Sequence, residues 1–240
     1  MIAAGTASAN PQDAIRRSFN YRDLVAAGAR FRPLGGGMVA ADYSRTDEAD
    51  SARVLGLAEL SPLPRSGFKG PRMADWLASR GVPLGLESNR AYQVDGGILA
   101  ARLAPSEVVL LGGLDGDHLP IVALERAWNY DCAGVWPVPR RDASFWLAIT
   151  GEKSSAMFAK ICGVDLRPKS FENHAIAQTS VARTNCIVIR ADVGEVLAFH
   201  LLGDSASASF MWTSLLDAMA EFGGRTVGLD ALLRLSVPRG

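Results

Sequence analysis

Residues 66–84, SGFKGPRMADWLASRGVPL, and residues 145–166, FWLAITGEKSSAMFAKICGVDL, carry the same order of signals. In the first, Ser66–Phe68 reads as a strand leading to Gly70, then a helix over Pro71–Arg80, then Gly81-Val82-Pro83-Leu84. In the second, the strand Phe145–Ile149 leads to Gly151, a helix over Glu152–Lys160, then Gly163-Val164-Asp165-Leu166. Glycine stops each helix where the backbone can take positive φ, and Pro71 suits a first helical turn, where its missing N–H costs nothing. Strand-like runs follow each copy: Ala91–Val94, Leu99–Leu103 and Val108–Leu111, then Ala177–Ala182, Cys186–Arg190 and Val196–Leu202. A helix closes each set, Leu119–Asn129 and Ser207–Phe222. In the latter, Phe210, Leu215, Leu216, Met219 and Phe222 form the face expected to pack inward.

The reading is an α+β fold of two related halves, about 54–131 and 135–222, each an antiparallel sheet covered by helices on one face. Residues 1–17 are small and polar and are expected to be flexible, leaving 18–240 as a single domain. Two-fold repetition places the expected ligand site in a cleft between the halves. Pro137, Pro139, Arg140 and Arg141 mark the crossover between them.

Composition removes several classes of function. The 240 residues hold 25 basic and 25 acidic side chains, so the net charge is zero and gives no electrostatic reason to bind nucleic acid or a membrane surface. The longest apolar runs fall well short of the roughly 20 residues a membrane span needs, and the N-terminus lacks the pattern of a secretory signal. Cys132, Cys162 and Cys186 are scattered, which suits buried reduced thiols in a cytoplasmic protein rather than a disulfide framework. His118, His174 and His200 are equally dispersed, so no metal site is expected. No dinucleotide, P-loop, zinc-protease or serine-elbow motif occurs. Gly35-Gly36-Gly37 reads as a turn, and the five tryptophans as core or interface packing.

Two ends of the chain carry a resemblance. Gly28-Ala29-Arg30-Phe31, Gly35-Gly36, Tyr43, Glu48, Arg53 and Gly56-Leu57-Ala58-Glu59-Leu60-Ser61 stand early, and Gly228-Leu229-Asp230-Ala231-Leu232-Leu233-Arg234-Leu235-Ser236 stands late. Together these resemble the folate-binding region of the glycine cleavage T-protein (aminomethyltransferase) family. The middle is similar to the gamma subunit of heterotetrameric sarcosine oxidase, through Asn89-Arg90, Leu103–Glu107, Asp165–Pro168, Ala177-Gln178-Thr179 and Phe210–Leu216. The resemblance covers most of the chain, in short motifs.

The resemblance implies a tetrahydrofolate site, and the departures from it bear on catalysis. The family's paired aspartates in GG-x-x-D-D fall on Ala100-Ala101 in one register, or on Gly96-Gly97 in another, with Asp95 adjacent. Alanine cannot move a proton, so Asp95 is the candidate catalytic residue; an ordinary hairpin-turn aspartate is the plainer reading of it. Where the family has GYTGE after Arg183-Thr184, this chain has Asn185-Cys186-Ile187-Val188, without the carboxylate that would pair a pterin's donors. Ser236 replaces a further glutamate. Tyr43 could stack on or hydrogen-bond a folate and Arg234 could pair its glutamate tail, each with a structural role as the alternative. Because the chain ends at Gly240, the family's C-terminal domain is expected to be absent.

Two readings stand at this level. One is a non-catalytic subunit of a sarcosine oxidase-like complex, oxidising N-methyl amino acids in folate-linked one-carbon metabolism. It would have no intrinsic cofactor and weak or no tetrahydrofolate binding, and would pack on larger flavoprotein subunits through Trp128, Trp136 and a C-terminal strand Leu232–Val237. The other is a stand-alone tetrahydrofolate-dependent aminomethyl- or methyltransferase using Asp95.

Overall fold

The computed structural model describes residues 9–237. Eight residues of the expected flexible N-terminus lie outside this range. Residues 9–17 are placed, with a short 3-10 turn at Pro11–Asp13 and Arg17 bridged to Met38. The chain opens with α1 (Tyr21–Ala26) and a hairpin of β1 (Arg30–Leu34) and β2 (Gly37–Asp42). Gly35 and Gly36 both take positive φ at its tip, the conformation that a two-residue hairpin turn needs. Then α2 (Glu48–Leu55) leads into the repeated part.

The first repeat is β3 (Gly56–Glu59), β4 (Arg65–Lys69), α3 (Met73–Ala78), β5 (Arg90–Val94), β6 (Ile98–Ala104), β7 (Glu107–Leu111) and α4 (Leu119–Ala127). The second is β8 (Trp136–Pro137), β9 (Ser144–Thr150), α5 (Ser154–Phe158), β10 (Ile176–Val181), β11 (Thr184–Arg190), β12 (Ala198–Asp204) and α6 (Ala208–Ala220). The chain closes with β13 (Arg225–Thr226) and α7 (Leu229–Leu235). One sheet runs β5-β6-β7-β4-β8 and the other β10-β11-β12-β9-β3-β13. The two orders match position for position, with α3 and α5 in equivalent places in the connectivity.

The leading strands are exchanged. Strand β3 of the first repeat pairs with β9 of the second, and β8 of the second pairs with β4 of the first. Each sheet is therefore completed by the other repeat, and the parallel β13–β3 pair adds a non-antiparallel edge. The glycine that follows each repeat's main strand shows what the exchange demands. A Cβ on Gly70 (φ 131°) would stand 2.2 Å from the Gly134 carbonyl oxygen, just before β8. A Cβ on Gly151 (φ 104°) would stand 2.5 Å from the Val54 carbonyl oxygen, just before β3. Only glycine permits both the φ and the approach.

Burial sorts the strands into four layers. In β9, Phe145, Leu147 and Ile149 join α5 and α6 in one core, while Trp146 and Ala148 face the other sheet. In β7, Val109 and Leu111 meet that same inter-sheet core, while Val108 and Leu110 lie under α3 and α4. Each sheet thus has helices on one face and its sister sheet on the other, so inner strands such as β9 and β7 are apolar on both faces, while the edge strands β5 and β10 alternate.

Four local expectations are corrected. Leu232–Val237 is not a strand: Leu229, Leu232 and Leu235 are buried at helical spacing on α7, against α2 and β2, so this segment presents no apolar edge. On α6, Leu215 and Met219 of the expected face are buried and Leu216 and Phe222 pack against the same core, with Met211, Trp212 and Ala218 completing it, but Phe210 points outward with 54% exposure. Of the thiols, Cys162 and Cys186 are buried but Cys132 is only half-buried. Gly81 takes positive φ after α3, whereas Gly163 is not among the positive-φ glycines.

Candidate functional site

Tyr43 follows β2 and is buried at 6% exposure. Its backbone N–H donates to Glu48 Oε1 at 2.6 Å, while Glu48 Oε2 accepts the Gly228 N–H at 2.9 Å. Buried Glu48 therefore ties the early motif to the late one. A Cβ at Gly228 would stand 2.0 Å from the Ala41 carbonyl oxygen, which fixes glycine there. Burial raises the Tyr43 phenol well above its ordinary value, and the Arg45 guanidinium lies 5.2 Å over the ring. Arg45 also donates to the Thr226 carbonyl. In this setting Tyr43 is a packed strut.

Arg234 is exposed on α7. Its charge acts on Asp42: burial pushes that carboxyl up, but the Arg30 hydrogen bond, the Ser44 N–H and the charges of Arg30 and Arg234 together hold it below the ordinary value. Tyr43 and Arg234 thus share the neighbourhood where α7 packs on β2. Asp95 sits elsewhere, exposed in the 3-10 turn Asp95–Gly97 between β5 and β6 of the five-stranded sheet. Positive φ at Gly96 and Gly97 completes that hairpin turn, with Pro120 and Gly113 beside it.

The two alanines on β6 face opposite ways, Ala100 toward α3 and α4 and Ala101 toward the other sheet, both fully buried. On β11, Asn185, Cys186 and Ile187 line a cavity of 510 Å³ with Gln178, Arg140 and Asp204. It opens where the crossover meets the second repeat's sheet, close to the expected cleft. Gln178 Nε2 donates to the Leu103 carbonyl at 2.9 Å and to Asn89 Oδ1 at 2.8 Å, a bridge from one sheet to the other. Arg140 pairs with Glu107 at 2.9 Å and its Nε is buried without a partner. Asp204 is committed to the Ala206 N–H as a helix-start acceptor. Burial pushes the Cys186 thiol up to about 12, which keeps it protonated and unreactive.

The cavity therefore offers amide, hydroxyl and guanidinium groups and one carboxylate, Asp204, whose Oδ1 accepts the Ala206 N–H. A wider groove of 1370 Å³ lies between α5, the 163–169 loop and the end of α7, and Asp95, Tyr43 and Arg234 are not among the residues that line it.

Gln178 and Arg140 stood within segments singled out in the sequence, but nothing in their spacing showed that one would bridge the sheets and the other line a cavity. Glu59 and Arg65 were missed as a pair. Both are buried, and Arg65 donates to the carbonyls of Ser61, Leu63, Arg140, Arg141 and Ser144, pinning the crossover to the β3–β4 turn. A charged residue inside the apolar run GLAELSPLPR was the available signal.

Among the described residues, no helix is long and apolar enough to cross a membrane, and no cluster of three His, Cys, Asp or Glu side chains could hold a metal ion. No curated protein sequence matches the chain. Among solved structures, the glycine cleavage system aminomethyltransferase T from Bartonella henselae matches with a TM-score of 0.73 at 18% identity, over 91% of this chain and 61% of that one. A chain of the heterotetrameric sarcosine oxidase from Corynebacterium sp. U-96, in complex with pyrrole 2-carboxylate, matches with a TM-score of 0.63 at 20% identity, over 89% of this chain and 99% of that one. The α+β architecture is thus that of the T-protein fold, and this chain spans 61% of the length of that T-protein. The GCVT N-terminal domain family matches residues 92–238, more than half of the sequence, and the chain belongs to that family.

Proposed function

We propose that the chain is a non-catalytic subunit of a sarcosine oxidase-like complex that oxidises N-methyl amino acids, packed in the cytoplasm against larger flavoprotein subunits. The observation that carries this reading is coverage. The structural match takes in 99% of one chain of a heterotetrameric oxidase. The buried Ala100 and Ala101, and the apolar β11, agree with it, since neither supplies an acid. Trp136, exposed at 54% on the edge strand β8, is the natural anchor for a partner, with half-buried Trp128 on the same crossover.

Co-expression with the flavoprotein subunits, followed by gel filtration and flavin reduction by N-methyl amino acids, tests the proposal. A stoichiometric complex that loses assembly or turnover without this chain is expected. The second reading, a stand-alone tetrahydrofolate-dependent transferase with Asp95 as its acid and Tyr43 and Arg234 on the folate, draws on the higher structural similarity to the T-protein. Calorimetric titration of the isolated chain with tetrahydrofolate separates the two. Low-micromolar binding abolished by Asp95→Ala would overturn the subunit reading, which expects a Kd weaker than about 100 μM.

A further inference from the structure

A third cavity, of 410 Å³, lies between the N-terminal segment and the crossover and shares no lining residue with the two described above. Arg16, Arg17 and Arg141 line it, with Phe19, Ser61 and Asp142. Backbone bonds fix both walls. On one side the Met38 N–H donates to the Arg16 carbonyl at 2.9 Å and Arg17 bridges to Met38. On the other, buried Arg65 holds the Arg140 and Arg141 carbonyls against the β3–β4 turn. The arginine stems are thus anchored before any ligand arrives, which lowers the ordering cost of binding.

The guanidinium groups are not fully used. Arg17 donates to the Gln12 carbonyl at 3.0 Å and stacks on Tyr21. Arg141 reaches Glu125 at 3.1 Å through one Nη, but its Nε is buried and unpartnered. Among the described residues, no hydrogen bond or ion pair engages the Arg16 side chain. Arg65 stands close behind: burial pushes it down to about 10, with the charges of Arg16 and Arg141 contributing, so it remains cationic at neutral pH. Four cations thus gather around one small cavity, against Asp142 and the Glu125 already paired to Arg141. Burial pushes the Glu59 carboxyl up, and its charge opposes that of Arg65.

The polar groups behind Ser61 are also short of partners. Asn20 is 1% exposed with both side-chain amide atoms unpartnered, and Glu59 Oε2 has no partner either. Ser18 Oγ accepts the Asn20 backbone N–H at 2.9 Å, beside these groups. Buried polar atoms are nearly always satisfied by protein, water or ligand. Gathered guanidinium groups repel one another until an anion neutralises them, and their planar forks match two-oxygen acceptors.

We propose that this arginine-lined cavity is a binding site for a small-molecule oxyanion, taking the phosphate or carboxylate group of its ligand between Arg16, Arg17 and Arg141. The site is independent of the subunit reading and can fail without it. Isothermal titration of the full chain at low salt, with inorganic phosphate, pyrophosphate and citrate as probes, tests it. Binding of at least one probe is expected, weakened by about tenfold or more in Arg16→Ala and in Arg16→Ala/Arg17→Ala. Arg183→Ala, on the exposed turn between β10 and β11, is expected to leave it unchanged. Binding of the phosphates alone assigns a phosphate ligand, citrate alone a carboxylate, and both the shared oxyanion chemistry. No heat from any probe at millimolar concentration, or equal binding by wild type and Arg16→Ala with circular dichroism showing both folded, would sink the proposal.

Discussion

Acid should destabilise this protein through one buried ring, His200. It lies on β12, facing the inter-sheet core, and its Nδ1 accepts the Trp146 Nε1–H at 2.9 Å. Accepting at Nδ1 requires that nitrogen to be unprotonated, and burial lowers the imidazole from 6.5 to about 4. Above pH 6.5 the ring is neutral in both folded and unfolded chains, and its stabilising contribution is fully present. As pH falls below 6.5 the unfolded chain takes up the proton and the folded one does not, so stability is lost until the folded ring also protonates near pH 4. The gap of about 2.5 pH units, at about 1.4 kcal/mol each, amounts to about 3 kcal/mol. His200→Asn keeps an acceptor near Nδ1 and removes the titration. Urea unfolding of both proteins at pH 7, 6, 5 and 4, followed by circular dichroism, isolates the effect. His174, also lowered by burial, and Glu59, shifted the opposite way, are present in both and cancel. The variant should start less stable at pH 7 and gain about 3 kcal/mol on wild type by pH 4. Stability curves that stay parallel across this range would show that His200 is not held neutral by the fold.

Gly228→Ala should cost about 3 kcal/mol or prevent folding, because its Cβ would meet the Ala41 carbonyl oxygen at 2.0 Å. Gly81→Ala, with φ 80° but open space around it, should cost about 1 kcal/mol, and thermal melts that fail to separate the two would contradict the clash. Arg65→Met removes a donor from five carbonyls, of which that of Arg140 keeps the Ser144 hydroxyl, and should destabilise by about 3–5 kcal/mol, more than Glu59→Gln, as measured by urea midpoints. Trp136→Ala should change monomer stability by less than about 1 kcal/mol yet weaken co-elution with the flavoprotein subunits; unchanged assembly would remove Trp136 from the interface.

The sequence by itself determined the repeat. Glycine after each main strand, a short helix, three strand-like runs and a closing helix are local signals, set by φ preference and apolar spacing, and both copies fold in that order. The family resemblance took in both Glu48 and Gly228 without relating one to the other, and only the fold bonds them. The outward turn of Phe210 on α6 and the identity of α7 were not legible. A short apolar run such as LLRLSV fits strand and helix alike until its neighbours decide, and here α2 and β2 bury Leu229, Leu232 and Leu235 from one side.

Only the tertiary structure decided the rest. The exchange of β3 and β8 between the repeats depends on pairing partners about ninety residues apart for β3 and β9, and about seventy apart for β4 and β8, which no local pattern encodes. The sites followed the same rule. Asp95 stands at a hairpin tip on one sheet while Tyr43 and Arg234 gather near α7 at the other, although a shared family pattern had grouped them. Arg16 and Arg141 meet around one cavity because Arg65, buried by long-range packing, draws the crossover onto the β3–β4 turn. Spacing along the chain fixes which face of a strand or helix a side chain occupies. Which charges end up beside one another is set by how the layers close.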